Sequence, residues 1–224
     1  MLEVILDTET TGLSNTEKHR IVEIGCIELN NQIQTNNIFH EYINPQRPVS
    51  EEAYKVHGYS DKFLSDKKTF AEIAEDFLDF INDKKLIIHN APFDLSFLNY
   101  EMKLIKKKEI DKKNVIDTLE MARIKYPGSQ NSLDALCKRF NINNSRREKH
   151  NALIDCELLK EIYINLLDQK EPKFNFEDIN LVLKHSSNTY GKKQTYSKKI
   201  TQPTSEEIRE HKLFLKSNLK KNFY

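Results

Sequence analysis

Four acidic residues sit where acids are unfavourable, and their spacing points to chemistry. Asp7 and Glu9 stand two apart where the apolar run Leu2–Leu6 ends, so the two-residue repeat of a strand turns both carboxylates to one face and Thr8 to the other. Asp94 falls in line with Leu98, Met102 and Ile105 at steps of four, four and three, which continues the apolar stripe of a helix. Asp155 does the same among Ala152, Leu159, Ile162 and Leu166, on a stripe where an unpaired carboxylate is costly. Each acid alone reads equally as a turn starter, a helix cap, a first-turn charge or half of a buried ion pair. Four of them directed inward from element ends, with no matching set of arginines on the same stripes, read together as a site for divalent metal. Oxygen-only ligands suit hard Mg²⁺ or Mn²⁺, which bind through few carboxylates plus a substrate phosphate. Two such ions activate an attacking water and stabilise a leaving oxygen in an in-line displacement. Such hydrolysis also needs a base; His150, five residues before Asp155, is either an ordinary surface residue at a helix start or lies just ahead of the helix and reaches back toward the acids.

The elements that position these groups follow from periodicity. Leu2–Leu6 reads as a buried strand running into a turn at Gly12. Ile21–Leu29 and Ile33–Tyr42, rich in β-branched and aromatic residues, pair through a hairpin at Asn30–Asn31. Phe70, Ile73, Ala74, Phe77, Leu78 and Ile81 mark an amphipathic helix from Thr69. Leu86–Ile88 is a strand, Asn90 caps and Pro92 opens a helix over Phe93–Ile105, and Val115–Asp117 is a last short strand. Helices follow at Leu119–Ile124, Ser132–Phe140 and Ala152–Leu167. Antiparallel neighbours first and helical crossovers later make an α/β protein with a mixed five-stranded sheet flanked by helices.

Composition removes other chemistries. Five isolated glycines among 224 residues cannot assemble a dinucleotide or P-loop fingerprint. Cys26, Cys137 and Cys156 are odd in number and lack CxxC spacing, so they read as reduced core residues rather than disulfides or zinc ligands. No apolar run approaches a membrane span, and the early acid in Leu2–Asp7 argues against a signal peptide, so a cytoplasmic protein is expected. From Glu171 onward eleven Lys/Arg face six Asp/Glu, giving the tail +5 and residues 1–170 −4. Lys184–Pro203 holds five lysines and no acids, the composition of a flexible linker.

Three strings carry a resemblance. Leu6-Asp-Thr-Glu-Thr-Thr-Gly-Leu13, His89-Asn-Ala-Pro-Phe-Asp94 and His150-Asn-Ala-Leu-Ile-Asp155 resemble the exonuclease motifs of the DEDDh 3′→5′ exonucleases. Val56-His-Gly58 with Asp61–Leu64, Ile116–Leu119, Tyr126-Pro-Gly128 and Asn131–Cys137 are most similar to the epsilon proofreading subunits of bacterial DNA polymerase III, over residues 1 to about 168, with a fainter likeness at Ser205–His211. The resemblance implies a ribonuclease-H-like sheet and removal of nucleoside monophosphates from a DNA 3′ end. Carried over by motif, Asp7, Glu9 and Asp155 hold two Mg²⁺ or Mn²⁺ ions, Asp94 is the fourth acid, acting partly through water, and His150 deprotonates the attacking water. Glu52 and His57 then contact the terminal nucleotide, while Leu13 and Phe93 bear on its sugar and base. Asn151 stands where these subunits commonly have glycine, which leaves the placement of His150 less firmly specified.

The same resemblance divides the chain into an exonuclease domain at 1–170, an extension and basic linker at 171–203, and a partner-binding segment at 204–224 that meets the polymerase catalytic (alpha) subunit. Thr204 and Glu207 make a capping box, and Ile208, Leu215 and Leu219 offer a partial apolar stripe for that partner. A sliding-clamp motif is represented only by Gln169–Phe174, where Pro172 takes an aliphatic position. Arg146, Arg147 and Lys149 form a basic loop that either touches substrate phosphates or stays in solvent. Two other functions fit parts of the pattern: an RNA-trimming enzyme with the same metal site, and a non-catalytic polymerase-binding scaffold. The scaffold has no need of four converging acids.

Overall fold

The computed structural model describes residues 1–145, 147, 149–167 and 203–218. Five strands, β1 (Leu2–Thr10), β2 (Ile21–Asn30), β3 (Ile33–Tyr42), β4 (Lys85–Ile88) and β5 (Val115–Asp117), form one sheet in the order β3-β2-β1-β4-β5. The first three make the expected antiparallel meander, and β4 and β5 add in parallel on the other side of β1. Parallel neighbours need a crossover. Helix α3 (Phe70–Ile81) supplies it before β4, and α4 (Ala91–Leu104) supplies it before β5. Short helices α1 (Glu51–His57) and α2 (Asp61–Leu64) precede α3, while α5 (Thr118–Lys125), α6 (Leu133–Phe140) and α7 (Ala152–Leu166) follow β5. The chain divides into two units, Met1–Phe174 and Asn175–Tyr224. Of the second, the described element is α8 (Ser205–Asn218). The expected linker at Lys184 to Pro203 lies outside the described residues except for its last residue, and the clamp-like segment 169–174 lies wholly outside them. No helix among the described residues is long and apolar enough to cross a membrane.

The pleat of β1 sorts its side chains between two cores. Val4 and Leu6 pack with Phe70, Phe77, Leu95, Leu98 and Met102 on the α3–α4 side. Ile5 packs with Ile27, Ile87, Cys156, Leu159 and Tyr163 on the α7 side. Helices α5 and α6 close over α7 through Ala122, Leu136, Cys137 and Ile162. All three cysteines are buried and free, as expected. Where β2 leaves the sheet's end, Arg20 forks onto the buried Glu101 with two bonds of 2.6 Å, tying β2 to α4.

Local differences from expectation have physical reasons. Strand β1 runs on to Thr10 because β2 keeps pairing it, with Asp7 opposite Gly25 and Glu9 opposite Glu23. The two acids therefore lie within the ladder rather than after it. The hairpin turns at Asn31 and Gln32, both left-handed with φ of 50° and 68°, while Asn30 still pairs with Ile33. Asn90 does not cap α4: its own left-handed backbone (φ 66°) leaves its side chain without a capping bond. Pro92 does sit in the first turn. Helices α1 and α2 have seven and four residues, too short for an apolar period to show, and are started instead by the side chains of Ser50 and Ser60.

Candidate functional site

Strand β4 pairs with β1 only from Glu3 to Ile5, so beyond that point the β1 edge has no strand beside it. The first turn of α4 takes the place, and Asp94 Oδ1 accepts from Thr8 N–H at 3.1 Å and from Thr8 Oγ1 at 2.7 Å. On the other face α7 crosses β2 directly over Gly25. A Cβ there would lie 2.6 Å from the Ala152 carbonyl carbon, so only glycine lets the first turn of α7 descend far enough to bring Asp155 to Asp7 and Glu9. The acids thus converge from both faces, and Asp94 and Asp155 are each only 3% exposed.

Burial and mutual repulsion make these carboxylates reluctant to ionise together. Burial first, then the charges of Asp94, Glu9 and Asp155, hold the Asp7 carboxyl well above the usual carboxylate range. Burial, followed by the charges of Asp155 and Glu23, pushes Glu9 up to about 8. Burial lifts Asp94 to about 7 against the two bonds from Thr8. Such a cluster is short of positive charge, and its donors are oxygens. Ligand atoms of Glu9, His150 and Asp155 lie within 4.8 Å of one another. The residues fit a hard divalent cation.

His150 lies just before α7, as expected, with Nδ1 3.6 Å from Asp155 Oδ2 and 3.9 Å from Glu9 Oε1. Its backbone N–H is anchored on Val56 O at 3.2 Å. Burial, then the neighbouring Arg147 charge, lowers the pKa of the imidazole despite the nearby acids. Arg147 itself is neither solvated nor set apart on a surface loop: its side chain is 8% exposed and forks onto Asp155.

Asn151, the departure from the expected glycine, is held by bonds of its own next to His150. Its Oδ1 accepts from Ile154 N–H at 3.0 Å and caps α7, while Nδ2 donates to Glu23 Oε1 at 2.6 Å and to Tyr59 Oη at 2.9 Å. Glu23 is fully buried and also accepts from Ala152 N–H at 3.0 Å and Tyr59 Oη at 2.8 Å, with His40 Nε2 at 2.7 Å. Sequence reasoning missed this hub, although a lone acid inside Ile21-Val-Glu-Ile-Gly-Cys-Ile27 was a signal. Glu23→Ala strands those partners and is expected to cost about 3–5 kcal/mol of stability. Denaturant melting checks this, and a loss under about 1 kcal/mol would rule out the hub.

A cavity of about 680 Å³ is lined by Asp7, Glu9, Asp94, His150 and Asp155 together with Leu13, Glu52, His57 and Phe93. All nine residues singled out from the sequence meet there. Leu13 is 85% exposed at the rim, and Phe93 leans on Phe97 with ring centres 5.0 Å apart. His57 is 4% exposed, stacks on Tyr59, and accepts from Tyr59 N–H through Nδ1 at 3.0 Å. The proton is then on Nε2, a buried atom that makes no hydrogen bond of ordinary geometry, although the Thr10 backbone is near enough to favour the protonated ring.

The RNase_T exonuclease family model matches residues 4–163. The DNA polymerase III subunit epsilon of Rickettsia conorii is 50% identical over 222 residues, covering 97% of this chain and 96% of that protein. That of Escherichia coli is 47% identical over 170 residues, 72% of this chain and 70% of that one. Among solved structures, exonuclease X in complex with 5′ overhanging duplex DNA superposes with TM-score 0.59 at 26% identity, covering 75% of this chain and 92% of that one. The nuclease domain of 3′hExo, a DEDDh family member bound to rAMP, shares the fold with TM-score 0.65 at 20% identity, over 78% and 96% of the two chains.

Proposed function

The chain belongs to the RNase_T exonuclease family and, within it, to the DNA polymerase III epsilon subunits, and from that premise we propose how its residues carry out 3′→5′ exonucleolysis of DNA. The observation that carries the proposal is the cavity in which four acids, three of them buried, meet His150 and the four substrate-facing residues. Asp7, Glu9, Asp94 and Asp155 hold two divalent cations, Mg²⁺ or Mn²⁺, which when bound activate the attacking water and stabilise the leaving oxygen. His150 takes the proton from that water at Nδ1, the nitrogen nearest Glu9 and Asp155. His57 and Glu52, both in the wall of the cavity, contact the terminal nucleotide. Phe93 and Leu13 offer apolar surface to the sugar and base.

The same premise makes the protein a partner of the polymerase III assembly in proofreading. We assign the contact with the catalytic subunit to α8, because Ile208, Leu213 and Phe214 are 43%, 61% and 59% exposed on it. For the sliding clamp, Gln169–Phe174 is a poor match because Pro172 stands at an aliphatic position.

The test is release of nucleoside monophosphates from 5′-labelled primers with matched or mismatched ends, beside RNA of the same sequence, with and without EDTA. DNA is expected to be shortened from mismatched ends first, and EDTA to stop the reaction. RNA consumed faster than DNA would transfer the chain to the RNA-trimming reading. The pH profile then addresses His150. Burial lowers the pKa of the imidazole, and a base must be neutral to take a proton, so the rate should rise with pH on the acid side of neutrality. His150→Ala should lose about 10²–10⁴ in rate and the rise with it. A variant that keeps the parent's acid limb would move the base elsewhere.

A further inference from the structure

Arg147 is bonded to three groups of this region at once. Its Nε and Nη2 fork onto Asp155 Oδ1 and Oδ2 at 2.5 and 2.8 Å, and Nη1 meets both oxygens of Asp134 at 2.9 Å. Nη2 also donates to His150 Nδ1 at 2.9 Å. A guanidinium can only donate, so the base nitrogen that must receive a proton has its lone pair occupied by Arg147. The carboxylate that must bind a cation already has one. Asp155 is 4% exposed in its side chain, and a buried carboxylate left without any cation is strongly unfavourable. Arg147 therefore supplies what the metal-free site lacks, and it opposes loading of the site by charge and by occupancy.

We propose that Arg147 is an exchangeable counter-cation that holds Asp155 and His150 in a resting arrangement, lets go of both when the site loads with divalent metal, and stays tethered through Asp134. The geometry offers the retreat. Asp134 is 59% exposed in its side chain, and Asp134 and Arg147 also line an adjoining cavity of about 480 Å³ together with Arg123, Ser129 and Ser132. Release frees the Asp155 oxygens and the His150 lone pair in one movement, so a base competent for catalysis appears only in a loaded site. The inference rests on the assignment of Asp155 as a metal ligand.

Linkage gives its test. A cation bound to the metal-free form lowers the apparent affinity for whatever displaces it, so removing it must tighten metal binding. Calorimetric titration of Mn²⁺ alone into the full chain, without DNA, is expected to show roughly tenfold or tighter binding for Arg147→Ala, equivalent to about 1.4 kcal/mol. Asp134→Asn, a change on a largely solvent-exposed side chain outside the acidic cluster, takes away the group onto which Arg147 retreats and should weaken Mn²⁺ binding by a smaller factor. In EDTA, Arg147→Ala should melt below the parent and recover more than the parent when Mn²⁺ is added. Mn²⁺ affinity that is unchanged or weaker in Arg147→Ala overturns the exchange and makes Arg147 a static brace. A parent that takes up no Mn²⁺ removes the metal assignment itself, and the exchange falls with it.

Discussion

Asp7→Asn is expected to abolish nucleotide release, by about 10³-fold or more and thus about 4 kcal/mol of barrier, while raising the melting temperature of the metal-free protein at pH 8. Loss and gain have one cause. The side chain sits in a buried cluster of like charges, which a cation must neutralise before any phosphate can approach. Without metal, the folded state keeps protons that the unfolded chain has already released. For Glu9 this holds between its ordinary 4.5 and about 8, and for Asp94 between its ordinary 3.8 and about 7. Asp7 is raised in the same direction. Wherever the native state binds more protons than the unfolded one, stability falls as pH rises. The parent in EDTA should therefore lose stability from about pH 4 to pH 8, and Asp7→Asn should flatten that slope by removing a charge with no loss of shape.

Asp155→Asn should be equally inactive but melt below the parent, since it leaves the 8%-exposed guanidinium of Arg147 without its buried partner. Scanning calorimetry in EDTA from pH 5 to 8, beside the primer assay, separates the two acids. Activity within tenfold of the parent in Asp7→Asn would falsify its role as a ligand, and a lower melting point at pH 8 would contradict the repulsion argument.

The four acids were legible because carboxylates on apolar stripes are rare enough to need an explanation. The meander was legible because β-branched and aromatic residues fill two long runs on either side of a turn, and the helix before β4 because its 3.6 period extends over twelve residues. Arg147 was not. In a loop without periodicity, Arg146, Arg147 and Lys149 are equivalent as letters, and only the folded path of the chain shows that Arg147 turns inward. The hairpin was displaced by one residue for a related reason. Asparagine favours the left-handed region and glutamine does not, yet the β2–β3 register obliges Gln32 to adopt it. The Asn151–Glu23 hub combined both cases: Glu23 was conspicuous within an apolar strand, but its partners Tyr59, His40 and Asn151 are 36, 17 and 128 positions away.

Ile208→Asp combined with Leu215→Asp in the full chain is expected to end co-elution with the polymerase catalytic subunit while leaving hydrolysis of short single strands nearly unchanged. Residues 1–170 carry a formal charge of −4 and present an acidic site to a polyanion, so they lack the basic surface by which nucleic-acid proteins bind unaided. A partner that already holds the primer end removes that handicap by raising the effective concentration of the strand. Helix α8 has the features of the attachment. Thr204 N–H and Oγ1 donate to Glu207 Oε2 at 2.7 and 2.9 Å, and Glu207 N–H returns a bond to Thr204 Oγ1 at 3.3 Å, so the helix starts with a complete capping box. Ile208 and Leu215 are two helical turns apart on one side. A single helix of 14 residues is marginal in water, and docking an apolar face is what would make it persist. Two buried anchors at about 2 kcal/mol or more each correspond to a loss of roughly 10³-fold in affinity when charge replaces them. Gel filtration of the doubly substituted chain with the cognate catalytic subunit decides the matter. A complex that survives at micromolar concentration would place the docking surface on the exonuclease domain.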